Sequence, residues 1–260
     1  MTMKKMPPIG LGTWNLRGDE CVKIIQKALD LGYRHIDTAF NYDNQVYVGK
    51  AIQGFARDDL FVTSKVMLDQ GDVEDICDTC LKELKLDFLD LYLIHWPDRS
   101  KPLDETLEKM ERLKKQGKIK GYGVSNFTIA HLQDCLDLKA HIFCNQVEFH
   151  PYLYQKELLE FCRKHSIELV AYRPLGKGAL LNDPTVCQIA KDKDKTASQI
   201  LLRFLFQKEI PFVAKASGEK HLKENLSLDD FSLTPQEITA LESLNKNKRF
   251  CDQSWADFDY

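Results

Sequence analysis

Eight short apolar runs, each set off from the next by a stretch of helical periodicity, restrict this chain more than any other feature. They are IGLGTW (9–14), YRHIDTA (33–39), LFVTSKV (60–66), LDLYLIHW (89–96), IKGYGVSN (119–126), FCNQVEF (143–149), IELVAYRPL (167–175) and PFVAKA (211–216). Many are continuously apolar, as in parallel strands covered on both faces. Between them, DECVKIIQKALDLG places Val22, Ile25, Ala28 and Leu29 on one helical face and stops at Gly32. LDETLEKMERLKKQG repeats the scheme with Leu103, Leu107, Met110 and Leu113, acids first and lysines last, ending at Gly117. Thr196–Gln199 and Thr234–Glu237 read as capping boxes, the second with Pro235 at the first helical position. Successive runs begin roughly 30 residues apart, the size of one βα unit. Eight such units without a linker predict one (β/α)8 barrel, a single domain over residues 1–260. A doubly wound open sheet is the rival.

The formal charge of −3 comes with scattered Lys and Arg, so no basic stripe argues for nucleic acid. The start, MTMKKMPPIG, lacks the apolar core of a signal peptide, and no run approaches the roughly 20 apolar residues of a membrane span. A cytoplasmic monomer is expected. The eight cysteines then read as free thiols in a reducing compartment. Cys77, Cys80, Cys135, Cys144, Cys162 and Cys187 all fall within apolar helical or strand patterns. Cys77-x-x-Cys80 is half a zinc site without a second half, and it lies on an apolar helical face with Val73, Ile76, Leu81 and Leu84.

Polar residues fall at particular places. Asp37, Lys65, His95, Ser125-Asn126, Gln146, Tyr172 and Lys215 come from different runs, each at or just before its C-terminal end. In a closed barrel those ends converge on one face, where active sites are built. In an open sheet the outer strands would be too far apart.

Lys65 ends an apolar strand, so its ammonium must find an anion or deprotonate. Asp37 is the nearest candidate anion, and a structural ion pair would account for both. Tyr42 adds a phenol, whose reference pKa near 10 is high for an acid at neutral pH. A neighbouring ammonium stabilises phenolate and lowers that value. His95 adds a further donor, although a lone histidine is more often a core residue. Together they suit hydride addition to a carbonyl, where charge develops on oxygen and must be protonated. Tyr42 would be the acid, Lys65 its modulator, Asp37 the anchor, and His95 the group that orients the carbonyl; no metal is required. The hydride donor has no Rossmann fingerprint, since Gly10-Leu-Gly12-Thr-Trp-Asn15 lacks a third glycine and lies in the first run. A nicotinamide could instead lie across the barrel mouth, its carboxamide on Asn126 and Gln146 and its ring on Tyr172.

In order along the chain, GLGTW, GYRHIDTAFNYDN, TSKV, LDLYLIHWP, GVSNF, NQVEFHPYL, AYRPLGKG, Lys215–Asn225 and WADFD resemble the aldo-keto reductase pattern. The likeness spans essentially the whole chain, and within the family the chain resembles the short bacterial members, such as 2,5-diketo-D-gluconate and methylglyoxal reductases. The resemblance implies a (β/α)8 barrel, NADPH (with NADH as the lesser option), and a tetrad at Asp37, Tyr42, Lys65 and His95. It implies cofactor contacts from Thr13, Trp14, Ser125, Asn126, Gln146 and Tyr172, from Leu175 along the pyrophosphate, and from Lys215, His221, Glu224 and Asn225 around the adenosine. Small aldehydes, dicarbonyls or keto-sugars are the implied substrates.

The chain departs from the pattern in four places. Ala216 and His221 stand where Ser and Arg often grip the 2′-phosphate; each lost charge-assisted bond would cost about 1.5–3 kcal/mol. Ser217, Lys220 and Lys223 are candidate substitutes. Arg173 replaces a frequent Ser and could meet the pyrophosphate or solvent; Gln45 replaces a common Glu. Trp14, Phe40, Trp96 and Phe127, beside ring residues, are expected with His95 around the substrate. The short tail after Phe250 predicts an open site without a long lid, with Trp255 closing one side. Two other functions use the same face: a Schiff-base lyase or aldolase on Lys65 or Lys215, and a non-catalytic nicotinamide sensor.

Overall fold

The computed structural model describes residues 4–216 and 218–260, so Ser217 lies outside the described residues. Each of the eight runs contains a strand: β1 Ile9–Gly12, β2 His35–Asp37, β3 Phe61–Val66, β4 Leu89–Ile94, β5 Ile119–Ser125, β6 Cys144–Glu148, β7 Glu168–Tyr172 and β8 Phe212–Ala214. All pair in parallel, in sequence order, and Leu11 of β1 sits opposite Ala214 of β8 to close the barrel. The open sheet is thereby excluded.

Around the strands lie α1 Gly18–Asp30, α2 Gln45–Ile52, α3 Val73–Leu84, α4 Leu103–Lys115, α5 Ile129–Asp137, α6 Lys156–Lys164, α7 Pro184–Lys193, α8 Ala197–Gln207, α9 Glu219–Leu226 and α10 Pro235–Glu242. Both expected capping boxes form, at Thr196 and Thr234, and Thr128 with His131 makes a third at α5. Cys77 and Cys80 are buried on α3, and burial raises their thiols to about 12 and about 11. Cys187 departs from the expectation: it lies on the exposed side of α7. Among the described residues no group of His, Cys, Asp or Glu could hold a metal ion. Among the described residues no helix is long and apolar enough to cross a membrane.

Side chains alternate across each strand. On β3, Val62 and Val66 join the large core shared with the helices, while Phe61 belongs to a separate small cluster with Met6, Leu91, Leu93, Cys144 and Val170. That cluster fills the barrel's lower interior. Following the same face of β3 upward from Phe61 leads through Thr63, which bonds His35, to Lys65. The interior thus changes from apolar to polar to ionic towards the C-terminal rim.

Candidate active site

Lys65 is 1% exposed, and its Nζ donates to Asp37 Oδ1 at 2.5 Å and to the Thr38 carbonyl at 3.0 Å. Gln146 Nε2 donates to the other oxygen, Asp37 Oδ2, at 2.8 Å. Both carboxylate oxygens are therefore satisfied, as a buried anion requires. The Lys65 ammonium also lies 5.1 Å from the centre of the Tyr42 ring, close enough for its charge to act on the phenol. The His95 ring meets Tyr42 edge-on, with centroids 5.6 Å apart.

Tyr42 follows β2 on a single 3₁₀ turn, Phe40–Tyr42, closed by Asp43 in the left-handed region. The buried Asn44 holds that turn. Its Oδ1 accepts from Thr38 Oγ1 at 2.7 Å, and its Nδ2 donates to the Thr13 carbonyl at 2.8 Å. Gln45 opens α2 between Ser64, whose hydroxyl it accepts, and Glu83 Oε2, to which its amide donates at 2.9 Å. A glutamate there would set two carboxylates against each other, which accounts for this departure.

Burial, the largest influence on Tyr42, raises its pKa above the usual tyrosine value; Lys65 pulls the other way without overcoming it. The expectation of a net lowered phenol is therefore corrected: the free site keeps Tyr42 protonated. Burial pushes Lys65 down, but Asp37 and Tyr42 outweigh it and the net shift is upward. A firmly protonated Lys65 is the wrong state for a nucleophilic amine. Burial, with Lys65 beside it, holds His95 well below the usual histidine range, so its ring is neutral. Its Nδ1 has no partner among the described residues.

Asp37, Tyr42 and His95, with the buried Lys65 behind them, open on a cavity of about 610 Å³ at the C-terminal strand ends. Asp37, Tyr42, His95, Ser125, Asn126, Gln146, Tyr172, Leu175 and Lys215 line it, as do Trp14 and Trp96. Asn126, with φ of 65°, donates to the His95 carbonyl at 3.0 Å and accepts from the Tyr172 hydroxyl at 2.7 Å. Other expected residues stand outside the cavity wall. Thr13 is buried and donates its hydroxyl to the Asp37 carbonyl. Phe40 packs on the helix-side core, and Phe127 turns towards His131. His221 is exposed on α9, Glu224 pairs with Lys220, and Asn225 is buried against Tyr33.

The sequence reading missed Asn41, Met67, Cys251 and Gln253, all of which line the cavity. Met67 was discoverable, because it lies two residues beyond Lys65 and so shares its face. Cys251 and Gln253 carry no such signal; they reach the rim because Glu148 on β6 captures the Phe250 and Cys251 backbone amides at 2.8 and 2.6 Å.

The far side of the cavity has the chemistry to hold a phosphorylated cofactor. Arg173, Lys177 and Lys215 line it, and Arg173 Nη1 is buried without a partner among the described residues. An orphaned guanidinium nitrogen beside two lysines fits an anionic phosphate. The Tyr172 ring and the amides of Asn126 and Gln146 form the inner end, fitting a flat carboxamide-bearing head.

A family comparison matches residues 8–246 to the aldo/keto reductase family. The chain belongs to this family. It is 43% identical over 258 residues to the oxidoreductase YtbE of Bacillus subtilis, covering 94% of this chain and 91% of the relative. It is 41% identical over 252 residues to the glyoxal reductase of the same organism, with the same coverage. Among solved structures it resembles MGS-M4, an aldo-keto reductase from a Medee basin deep-sea metagenome library. That match has a TM-score of 0.92 at 36% identity and covers 96% of this chain and 95% of that chain. The protein is thus an oxidoreductase enzyme of the aldo-keto reductase type.

Proposed function

We propose that this aldo-keto reductase reduces aldehyde and ketone carbonyls to alcohols with NADPH, using Tyr42 as the proton donor. The observation that carries the reading is the Tyr42 phenol beside the Lys65 ammonium, itself fixed by Asp37, with a neutral His95 against the Tyr42 ring in the same cavity. NADPH, when bound, supplies a hydride to the carbonyl carbon.

The chain's own residues account for the rest. His95 is neutral, so it can donate a hydrogen bond to a carbonyl oxygen without adding a second cation beside Lys65. Tyr42 keeps its proton until negative charge develops on that oxygen, and Lys65 then favours its release. Asn126 fixes the His95 backbone, and Gln146 braces Asp37. Arg173, Lys177 and Lys215 would hold the phosphates, with Tyr172 and the two amides around the nicotinamide. Lys220 and Lys223 offer less to a 2′-phosphate than the sequence suggests, because each already pairs with a glutamate of α9. Lys215 is then the main 2′-phosphate ligand, and NADPH is preferred over NADH by a modest margin.

Small aldehydes and dicarbonyls are the favoured substrates; the glyoxal reductase relative supports that class. Oxidation of NADPH should be followed with methylglyoxal, aromatic aldehydes and keto-sugars, wild type beside Tyr42→Phe. The variant should lose about 10²–10⁴-fold in turnover while still binding NADPH in a fluorescence titration. Undiminished turnover in Tyr42→Phe would remove Tyr42 as the acid. Equal affinity for NADH and NADPH would overturn the cofactor preference.

A further inference from the structure

The final residues cross the cavity rim with almost no structure of their own. From Cys251 onward the only internal backbone hydrogen bond is Ala256 N to the Gln253 carbonyl, at 2.9 Å among the described residues. Yet Cys251, Gln253 and Trp255 all line the cavity. Trp255 is 56% exposed and meets the buried Trp96 edge-on, with centroids 4.9 Å apart. Something outside this indole must hold it in place.

The inner end of the tail is fixed by the buried Glu148. The outer end is fixed by side chains. Arg99, on the loop after β4, forms an ion pair with Asp257, its Nε 2.8 Å from Oδ2, and its guanidinium lies 4.1 Å from the centre of the Tyr260 ring. His131 Nε2 is 3.5 Å from the same Asp257 oxygen, outside hydrogen-bond geometry. Thr128 Oγ1 donates to the Tyr260 carbonyl at 2.7 Å, and Tyr260 donates its hydroxyl to Asp134 at 3.1 Å. Phe258 also meets Trp96 edge-on, with centroids 5.6 Å apart. Asp257 is the charged member of the tail that ties it to the loop carrying Trp96.

We propose that Asp257, clasped by Arg99, is a positioning residue that fixes Trp255 against Trp96 and so sets the enzyme's preference for bulky aromatic carbonyls over small ones. This rests on the carbonyl-reductase reading of the cavity. Trp14, Trp96, Trp255 and Met67 are its apolar walls, and none reacts. A small dicarbonyl needs only Tyr42 and His95. A ring substituent must extend to the indoles, and a loose Trp255 deprives it of one wall.

The test compares Asp257→Asn, Arg99→Gln, the double variant and Asp257→Glu. In the free protein, acrylamide quenching of tryptophan emission should rise in both single variants, not rise further in the double, and return partly in Asp257→Glu. Trp255→Phe in each background identifies that indole's share. With NADPH, KM for an aromatic aldehyde should rise about three- to tenfold, with kcat and the methylglyoxal KM within about twofold of wild type. Unchanged quenching in both single variants would overturn the clasp. Equal KM changes for the two substrates would overturn the specificity role. Wild-type inactivity towards both aldehydes, with quenching as expected, would instead overturn the reductase reading and leave Asp257 a tail anchor only.

Discussion

Lys65 shows how opposing effects at one residue are decided. Burial disfavours its charge, whereas Asp37 and Tyr42 favour it, and the net shift is upward. With a folded pKa above the unfolded one, the contribution to stability is full below the unfolded value, about 10.4. It disappears only as pH climbs through the still higher folded value, so the pair is intact throughout the neutral range. Replacing Lys65 with Met removes the cation and leaves Asp37 buried with Gln146 as its remaining side-chain partner. Breaking a buried pair in this way costs about 3–5 kcal/mol, readable as a lower urea midpoint. Turnover should also fall by about 10²-fold or more, because Tyr42 loses its one neighbouring cation. Asp37→Asn combined with Lys65→Met should recover much of the stability and none of the turnover. An unchanged urea midpoint in the single variant would show that the pair does not matter to folding. This pair was legible in the sequence because a charge ending an apolar strand needs a partner. The direction of the Tyr42 shift was not, since burial cannot be read from adjacent letters.

At the scale of elements, strands were easier to read than loops. Eight apolar runs needed only correct counting, and helix starts such as Thr196 and Thr234 carry their own capping residues. Beyond a strand end, the backbone leaves regular geometry and neighbours in sequence part company. Asn126 turns into the cavity at φ 65°, while Phe127, one residue on, packs against His131. Phe40 and Tyr42 diverge similarly across one short turn. The placement of that turn depends on α2, which presses on the end of α3. A Cβ at Gly49 would lie 2.6 Å from the Glu83 carbonyl oxygen and 2.7 Å from that of Leu84. Helix propensity alone would make Gly49→Ala stabilising by about 1 kcal/mol. The clash is with backbone, which cannot rotate away, so a net loss of about 1–3 kcal/mol is expected. Urea denaturation decides the sign; a stabilised variant would mean that α2 shifts freely.

Over the whole molecule, the barrel keeps one face for chemistry and fills the rest, and the filling itself carries a titratable group. His35 is 1% exposed in the middle of the barrel, with Nε2 on Thr63 Oγ1 at 3.0 Å and its ring edge-on to Phe61 at 5.0 Å. Its other nitrogen has no side-chain partner, and a Cβ at Gly10 would sit 2.7 Å from it. Burial is the main reason its pKa is lowered to about 4. The folded protein keeps His35 neutral while the unfolded chain takes up a proton near pH 6.5, so the unfolded state binds more protons in between. Stability from this group is therefore complete above about pH 6.5 and is lost as pH falls towards 4, to a total of about 3 kcal/mol at 1.36 kcal/mol per unit. His95, neutral and buried at the rim, acts in the same direction. Urea unfolding of wild type and His35→Gln across this range should show a shallower fall for the variant, by up to one proton's worth of slope, whatever its stability at neutral pH. Parallel curves would mean that His35 already carries its proton when folded, and that acid sensitivity comes from elsewhere.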